Sequence, residues 1–313
     1  VSPERDAEKV RVDVEGRTLT LTNLEKVLYP EVGFTKAQVI DYYTRVAPAL
    51  LPHLEHRALT MKRYPNGVDG HFFFEKNAPS HRPDWVRTAR LPAPGSTKKR
   101  ETIDYTVVDD LPTLVWAANL ASLELHTHMW RVDQDDQPLT PDLMVVDLDP
   151  GPGTGIPECC QVAQLVREHT DADWCAKTSG SKGMQLYCAV RDGRTADETR
   201  SEMRQLAEKL EQQPDSIVVS RMTKSLRPGK VLVDWSQNNA AKTTISVYSL
   251  RARPRPTVST PVSWEEVEAG AVGKDPLVFT ADDVLSRVDE LGDLFAPLLQ
   301  SGTGAAKKPT RRR

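Results

Sequence analysis

The chain has 313 residues, a formal net charge of −3 and four cysteines. That length buries an ample core without disulfides or zinc, and Cys159, Cys160, Cys175 and Cys188 show no C-x-x-C spacing, so they read as reduced thiols. With no apolar run long enough to span a membrane and no signal-peptide pattern, the expected location is cytoplasmic, and the weakly acidic total excludes a uniformly basic coat.

Along the chain, the first residues read as a mobile end. Residues 10–14 and 18–22 alternate apolar and polar around Glu15-Gly16, which predicts a hairpin. Thr35 opens a helix in which Gln38 completes a capping box, with Val39, Tyr43, Val46 and Leu50 on one face. Residues 59–64 return to strand alternation before a Pro65-Asn66-Gly67 turn. In His71-Phe72-Phe73-Phe74-Glu75-Lys76, strand geometry sends Phe72 and Phe74 to one face and Phe73 to the other. A helix over 111–120 leads into Leu123-Glu124-Leu125-His126. Further helices are expected over 158–169, from Thr195 with Glu198 as cap partner, and from Thr280 with Asp283. Strands and helices mix without a β-α-β repeat, which predicts an α+β fold with substantial antiparallel sheet.

Chemistry concentrates in three places. Leu143-Met144-Val145-Val146-Asp147-Leu148-Asp149-Pro150-Gly151 is a short apolar run ending in two carboxylates. On a strand, Asp147 and Asp149 share a face while Leu148 points away. Two adjacent acids repel, and a divalent cation with a preference for oxygen ligands would relieve them; a pair of solvated turn carboxylates is the other reading. Val231-Leu232-Val233-Asp234-Trp235-Ser236-Gln237-Asn238 repeats the design and offers a third acid. Between them, Lys177-Thr178-Ser179-Gly180-Ser181-Lys182-Gly183 is a turn that could cradle phosphate or lie in solvent; it lacks the Walker A spacing. Basic clusters occur at Lys98-Lys99-Arg100, across Arg251 to Arg255, and at Lys307-Lys308 with Arg311-Arg312-Arg313.

Asp147-Leu148-Asp149-Pro150-Gly151, Ser179-Gly180-Ser181-Lys182-Gly183 and Val233-Asp234-Trp235-Ser236-Gln237-Asn238, taken in that order, resemble the polymerase module of bacterial ligase D. That module belongs to the archaeo-eukaryotic primase superfamily and acts in non-homologous end joining. Leu21 to Pro30, Phe73-Phe74-Glu75-Lys76 and Glu124-Leu125-His126 extend the likeness across residues 10–300. It implies an archaeo-eukaryotic primase-type catalytic fold, with two packed sub-lobes of mixed and antiparallel sheet around a central cleft. Residues 1–9 would be a flexible N-terminus and 301–313 a flexible basic tail.

The implied activity is template-directed nucleotidyl transfer at gaps and broken ends, with ribonucleotides favoured. Asp147, Asp149 and Asp234 would hold two Mn2+ or Mg2+ ions for in-line attack of a primer 3′-hydroxyl on the α-phosphate. His126, Ser179, Lys182, Gln237 and Arg251 would bind the nucleoside triphosphate. Asn23, Lys26 and Lys36 match a pocket for a downstream DNA 5′-phosphate; by residue type alone the lysines read equally as exposed charges. Lys62, Phe73, Phe74 and Arg227 would meet template or primer, the phenylalanines by stacking. Residues 92–105 match a loop that brings ends together. The implied partners are DNA ends and gapped duplex, with Ku and an ATP-dependent DNA ligase as candidates, and the implied location is the bacterial nucleoid.

Two departures stand out. Met184-Gln185 follow the turn where the family commonly has leucine and histidine, so nucleotide contacts are expected to differ. The segment from Trp130 to Asp147 is shorter than in some relatives. Rival readings are a stand-alone primase-polymerase in other repair or lesion bypass, an Asp-x-Asp glycosyltransferase, and an inactive DNA-end binding module. The third acid together with Lys182 disfavours the last two.

Overall fold

Two six-stranded sheets, each backed by helices, carry the chemistry in the computed structural model, which describes residues 9–93 and 101–299. The Lys98-Lys99-Arg100 cluster, the basic tail and the first eight residues lie outside the described residues. The N-terminal hairpin forms as expected from Lys9–Val14 and Arg17–Thr22.

The first sheet runs Thr244–Ile245, Ser122–Thr127, Ala58–Arg63, Thr102–Val107, Thr88–Pro92, with Phe73–Glu75 added on Ala58–Arg63; every pairing is antiparallel. Helices α1 (Lys36–Leu54), α2 (Leu111–Asn119) and α6 (Ala281–Leu291) contribute to the core on this sheet. Helix α1 starts where the Thr35 side chain accepts from Gln38 N, and Gln38 Oε1 accepts from Thr35 N at 2.8 Å. Such a cap stabilises by about 1 kcal/mol. Val39, Tyr43, Val46 and Leu50 are buried as the periodicity requires, and each of the three aliphatic side chains contributes roughly 1.5–3 kcal/mol.

The second sheet runs Val218–Val219, Val231–Asp234, Leu143–Pro150, Met184–Ala189, Cys175–Thr178 and Pro261–Val262, antiparallel except at the short Val218–Val219 edge. Helices α3 (Ile156–Glu168), α4 (Ala196–Glu211) and α5 (Trp264–Ala271) supply residues of its own core. The strand Leu143–Pro150 is buried on both faces, which explains its nearly continuous apolar run. Met144, Val146 and Leu148 enter the core under α3 and α4, whereas Val145 joins the core of the first sheet. The two-residue period then puts Asp147 and Asp149 on the Val145 face, toward the other sheet.

Buried Arg57 ties the two sheets together. It sits just before Ala58–Arg63 and donates through both terminal nitrogens to Asp142, at 2.8 and 2.6 Å, just before the acidic strand. Tyr43 of α1 donates to Leu123 O at 2.7 Å and accepts from Leu250 N at 3.1 Å. One helix side chain thereby fixes the strand bearing Glu124 and the segment bearing Arg251.

Candidate active site

Register pairs Asp147 directly with Asp234 across neighbouring strands. Asp147, Asp149 and Asp234 each present a carboxylate oxygen within 4.8 Å of the others, with Asp147 and Asp234 buried and Asp149 exposed. Burial first, then the charges of Asp149 and Asp234, pushes the Asp147 carboxyl up to about 7. Asp149 is raised too, by burial and by Asp234, against the lowering influence of Arg227. Such a group gains most from a divalent cation, and all-oxygen donors suit magnesium or manganese. The three acids therefore fit the metal role.

Local structure holds the third acid in place. The Asp234 carboxylate accepts from Ser236 N at 3.0 Å, from the Ser236 hydroxyl, and from Gln237 Nε2 at 2.9 Å. Asn238 donates to Val145 O at 2.8 Å and accepts from Val145 N at 2.9 Å, clamping the turn to the acidic strand. Gln237, which the resemblance assigns to the nucleotide, thus touches Asp234. Asn238 was quoted only as the end of a motif, and nothing in its residue type announced the clamp.

The same register extends further. Lys177 pairs with Gln185, Gln185 with Asp147, and Asp147 with Asp234, so four polar residues form a row across four adjacent strands on one face. Gln185 Nε2 donates to Asp147 Oδ1 at 3.0 Å, and its Oε1 accepts from Lys177 Nζ at 2.6 Å. Burial drives the Lys177 ammonium well below its usual range, with Asp147 opposing that shift.

In the Ser179–Gly183 turn, Ser179 Oγ accepts from Ser181 N and Gly183 N at 3.3 and 3.2 Å. Its glycines answer to protein rather than to phosphate. A Cβ on Gly183 would lie 2.2 Å from Leu148 O, and Gly180, at φ +65°, would bring one 2.6 Å from the Val258 backbone. These contacts seat the turn on the acidic strand and leave Lys182 exposed. Arg251 Nη1 donates to Ser179 O at 2.9 Å, and its Nε, 3.4 Å from Glu124 Oε1, is buried without a hydrogen bond among the described residues.

Glu124 is the functional residue that sequence reasoning missed. Buried at 2% exposure, its carboxylate lies 3.6 Å from Lys62 Nζ, 3.1 Å from His126 Nε2 and 3.4 Å from Arg251 Nε, and it accepts from Ala252 N at 3.1 Å. Burial alone would raise it, but the His126 hydrogen bond and the charges of Arg251, His126 and Lys62 hold it at about 2. Burial also lowers His126, toward the neutral ring, so the lasting charge partners of Glu124 are Lys62 and Arg251. Only the neighbouring histidine drew attention to this stretch.

The aromatic run splits as strand parity requires. Lys62 Nζ stands 4.4 Å from the Phe72 ring centroid, 5.5 Å from Phe74 and 5.2 Å from Tyr64, while Arg63 covers Phe73 at 5.2 Å. Phe74 meets His126 edge-on at 5.9 Å. Phe73 and Phe74 also border a cleft of about 1070 Å³ that continues past Tyr105, His128, Trp130 and Ala240. None of the three clustered carboxylates lines this cleft.

Lys36 is buried, donating to Thr22 O at 2.6 Å, whereas Lys26 is exposed and donates to Asn66 Oδ1 at 2.9 Å. Lys36 N donates to Lys26 O at 2.8 Å, which joins the two lysines across the Tyr29–Gly33 turn, and Asn23 just upstream adopts φ +55°. Burial, then the charges of Lys26 and Arg63, lowers Lys36 to about 8. Among the described residues neither lysine forms a salt bridge. Arg227, near Asp149, donates through Nη2 to Met222 O at 2.9 Å, and its buried Nε has no hydrogen bond among the described residues.

Residues 35–295 match the family described as "LigD, primase-polymerase domain". The chain is 43% identical over 298 residues to the multifunctional non-homologous end joining protein LigD of Mycolicibacterium smegmatis, covering 93% of this chain and 37% of that protein. It is 32% identical over 282 residues to the bifunctional LigD of Bacillus subtilis, covering 88% of this chain and 43% of that protein. The solved polymerase domain of Mycobacterium tuberculosis ligase D in complex with DNA superposes with a TM-score of 0.83 at 39% identity, over 90% of this chain and 98% of that domain. The chain thus spans well under half the length of these curated relatives.

Proposed function

The chain belongs to the LigD primase-polymerase domain family, and on that footing we propose that it is a repair polymerase extending 3′ ends at gaps and double-strand breaks during non-homologous end joining. The convergence of three carboxylates in a setting that raises two of them supports this reading above all. When bound there, two Mn2+ or Mg2+ ions would activate the attacking hydroxyl and neutralise charge on the phosphates. No protein nucleophile is needed, so the chain's own work is positioning.

In this reading Asp147, Asp149 and Asp234 are the ion ligands. Lys182, Ser179 and Arg251 hold the triphosphate, with Arg251 anchored by Glu124 through its Nε and by Ser179 O through its Nη1. His126 meets the nucleotide from the Glu124 side, and Gln237 aids it by fixing Asp234. Phe74 and Phe73, at the border of the wide cleft, face the template together with Lys62, and Arg227 meets DNA near Asp149. Lys26, Lys36 and Asn23 receive the downstream 5′-phosphate: the two lysines are joined by a backbone hydrogen bond and, among the described residues, form no salt bridge that would offset their charge. Preference for ribonucleotides, contact with Ku and a DNA ligase, a place on the nucleoid, and residues 10–300 as the catalytic unit belong to the same proposal. Among the described residues, no helix is long and apolar enough to cross a membrane.

The test is single-nucleotide addition on a gapped duplex, with and without the downstream 5′-phosphate and with ribo- against deoxyribonucleotides. Metal-dependent addition favoured by the phosphate is expected. Equal rates on both duplexes would point instead to a stand-alone primase-polymerase, and no addition on any primed template would overturn the enzyme reading.

A further inference from the structure

Gln185 stands where the family commonly carries histidine, and its surroundings assign it a task that the nucleotide does not share. Strand parity turns Gln185 and Tyr187 to the face of Asp147, while Met184, Leu186 and Cys188 enter the opposite core. The Gln185 side chain is 4% exposed, so both ends of its amide need partners inside the protein. One end meets the acceptor Asp147 Oδ1 at 3.0 Å. The other meets Lys177 Nζ at 2.6 Å and the Tyr187 hydroxyl at 3.2 Å. Lys177 in turn is fixed by Ser259 Oγ at 2.6 Å and Ile245 O at 3.1 Å.

These contacts leave the amide one orientation. Its oxygen faces the lysine and tyrosine donors, and its NH2 faces the carboxylate. A flip would set oxygen against oxygen at Asp147.

We propose that Gln185, locked by Lys177, is the positioning residue of the metal centre: it occupies Asp147 Oδ1 and turns the remaining oxygen toward Asp149 and Asp234. The inference rests on the metal reading of those three acids. Groups that orient a ligand in this way typically change metal affinity by about 10- to 100-fold when removed. A neutral imidazole could do the same work, donating from one ring nitrogen and accepting at the other. Histidine and glutamine are therefore interchangeable here by geometry, and leucine is not.

The experiment titrates Mn2+ into the whole DNA-free protein and follows the free-ion electron paramagnetic resonance signal. Thermal melting reports folding, and binding of a labelled DNA end without metal reports the intact surface. Gln185→Leu is expected to weaken Mn2+ about 10-fold or more with end binding unchanged. Lys177→Met, which leaves the amide in place but free to turn, is expected to weaken it several-fold and stands in if the leucine variant does not fold. Gln185→His is expected to bind Mn2+ within about 3-fold of the original protein. Unchanged Mn2+ affinity in folded Gln185→Leu or folded Lys177→Met would overturn the inference, as would equal losses in Gln185→His and Gln185→Leu. Absence of Mn2+ binding by the unaltered protein would instead overturn the metal reading itself.

Discussion

Glu124 and Asp147 are both buried carboxylates, and their surroundings drive them in opposite directions. Glu124 gathers Lys62, His126, Arg251 and a backbone amide, and is held at about 2. Asp147 faces two further acids and a neutral amide, and rises to about 7. The first is electrostatically complete: it holds Lys62 and Arg251, the cations assigned to the template and the nucleotide. The second is unbalanced, and a divalent cation in the proposed site would offset it. Balance marks an organiser, and imbalance marks a site that waits for a ligand.

Breaking the unbalanced centre has the largest expected effect. Asp149→Asn and Asp234→Asn should each lower single-nucleotide addition by about 1000-fold, because ion-assisted stabilisation of the transition state amounts to several kcal/mol. Affinity for a labelled DNA end should hold. A turnover loss below about tenfold in either variant would remove that acid from the catalytic set.

Breaking the balanced centre should act on the fold first. Glu124→Gln strands Lys62 and Arg251 around a neutral amide, and losing one partner of a buried charge cluster costs about 3 kcal/mol. Denaturant unfolding would register that loss, and an unaltered midpoint would show that Glu124 does not tie the cations together. Nucleotide addition should fall about tenfold as Arg251 loses its anchor, a figure on the scale of a displaced positioning group.

Lys36 offers a second unbalanced charge, of the opposite sign. Lys36→Met should cut the preference for a 5′-phosphorylated gap by roughly tenfold, the weight of one charged hydrogen bond, while leaving addition on an unphosphorylated gap unchanged. Because burial holds Lys36 at about 8 in the free protein, its charge is complete below that value and is lost above it. The preference should therefore decline between pH 8 and 9.5 when binding is followed by anisotropy, and a flat profile there would break the assignment.

The smallest effect separates the two carboxylates by pH. Asp147 binds its proton more tightly when folded, so its contribution to stability is full below the ordinary carboxylate range near 4 and is lost as pH rises toward about 7. Glu124 behaves in reverse: its contribution is present above that range and is lost as pH falls toward about 2. The rise in melting temperature produced by Mn2+ should accordingly be larger at pH 7.5 than at pH 5, by a few degrees on the scale of about 1 kcal/mol. An equal rise at both values would mean that Asp147 is not the group relieved.

Local signals carried far in this chain. The capping boxes at Thr35, Thr195 and Thr280 start helices where they were expected, because a cap is a contact within four residues. Parity alone put Asp147 and Asp149 on one face and separated Phe72 and Phe74 from Phe73. What stayed hidden depends on partners brought from afar. Glu124 is completed by Lys62, Arg251 and Ala252, and its own tripeptide shows only a carboxylate beside a histidine. Gln185 read as a missing histidine near a nucleotide, and Lys177 as the mere start of a turn. The glycines of that turn suggested room for phosphate, yet Gly183 is needed where the chain passes Leu148 O.

The sequence by itself determined the strand ends that carry the acids, the helix starts, the face on which each side chain emerges, and the resemblance that names the chemistry. Those follow from backbone periods of 2 and 3.6 and from capping contacts, which act over a few residues. Tertiary structure alone decided that Asp234 meets Asp147, that Lys177 and Gln185 extend the same row, and that Glu124 collects its cations. Each of these rests on strand register and sheet order, which are fixed by core packing between distant segments and by no property of a single stretch of chain.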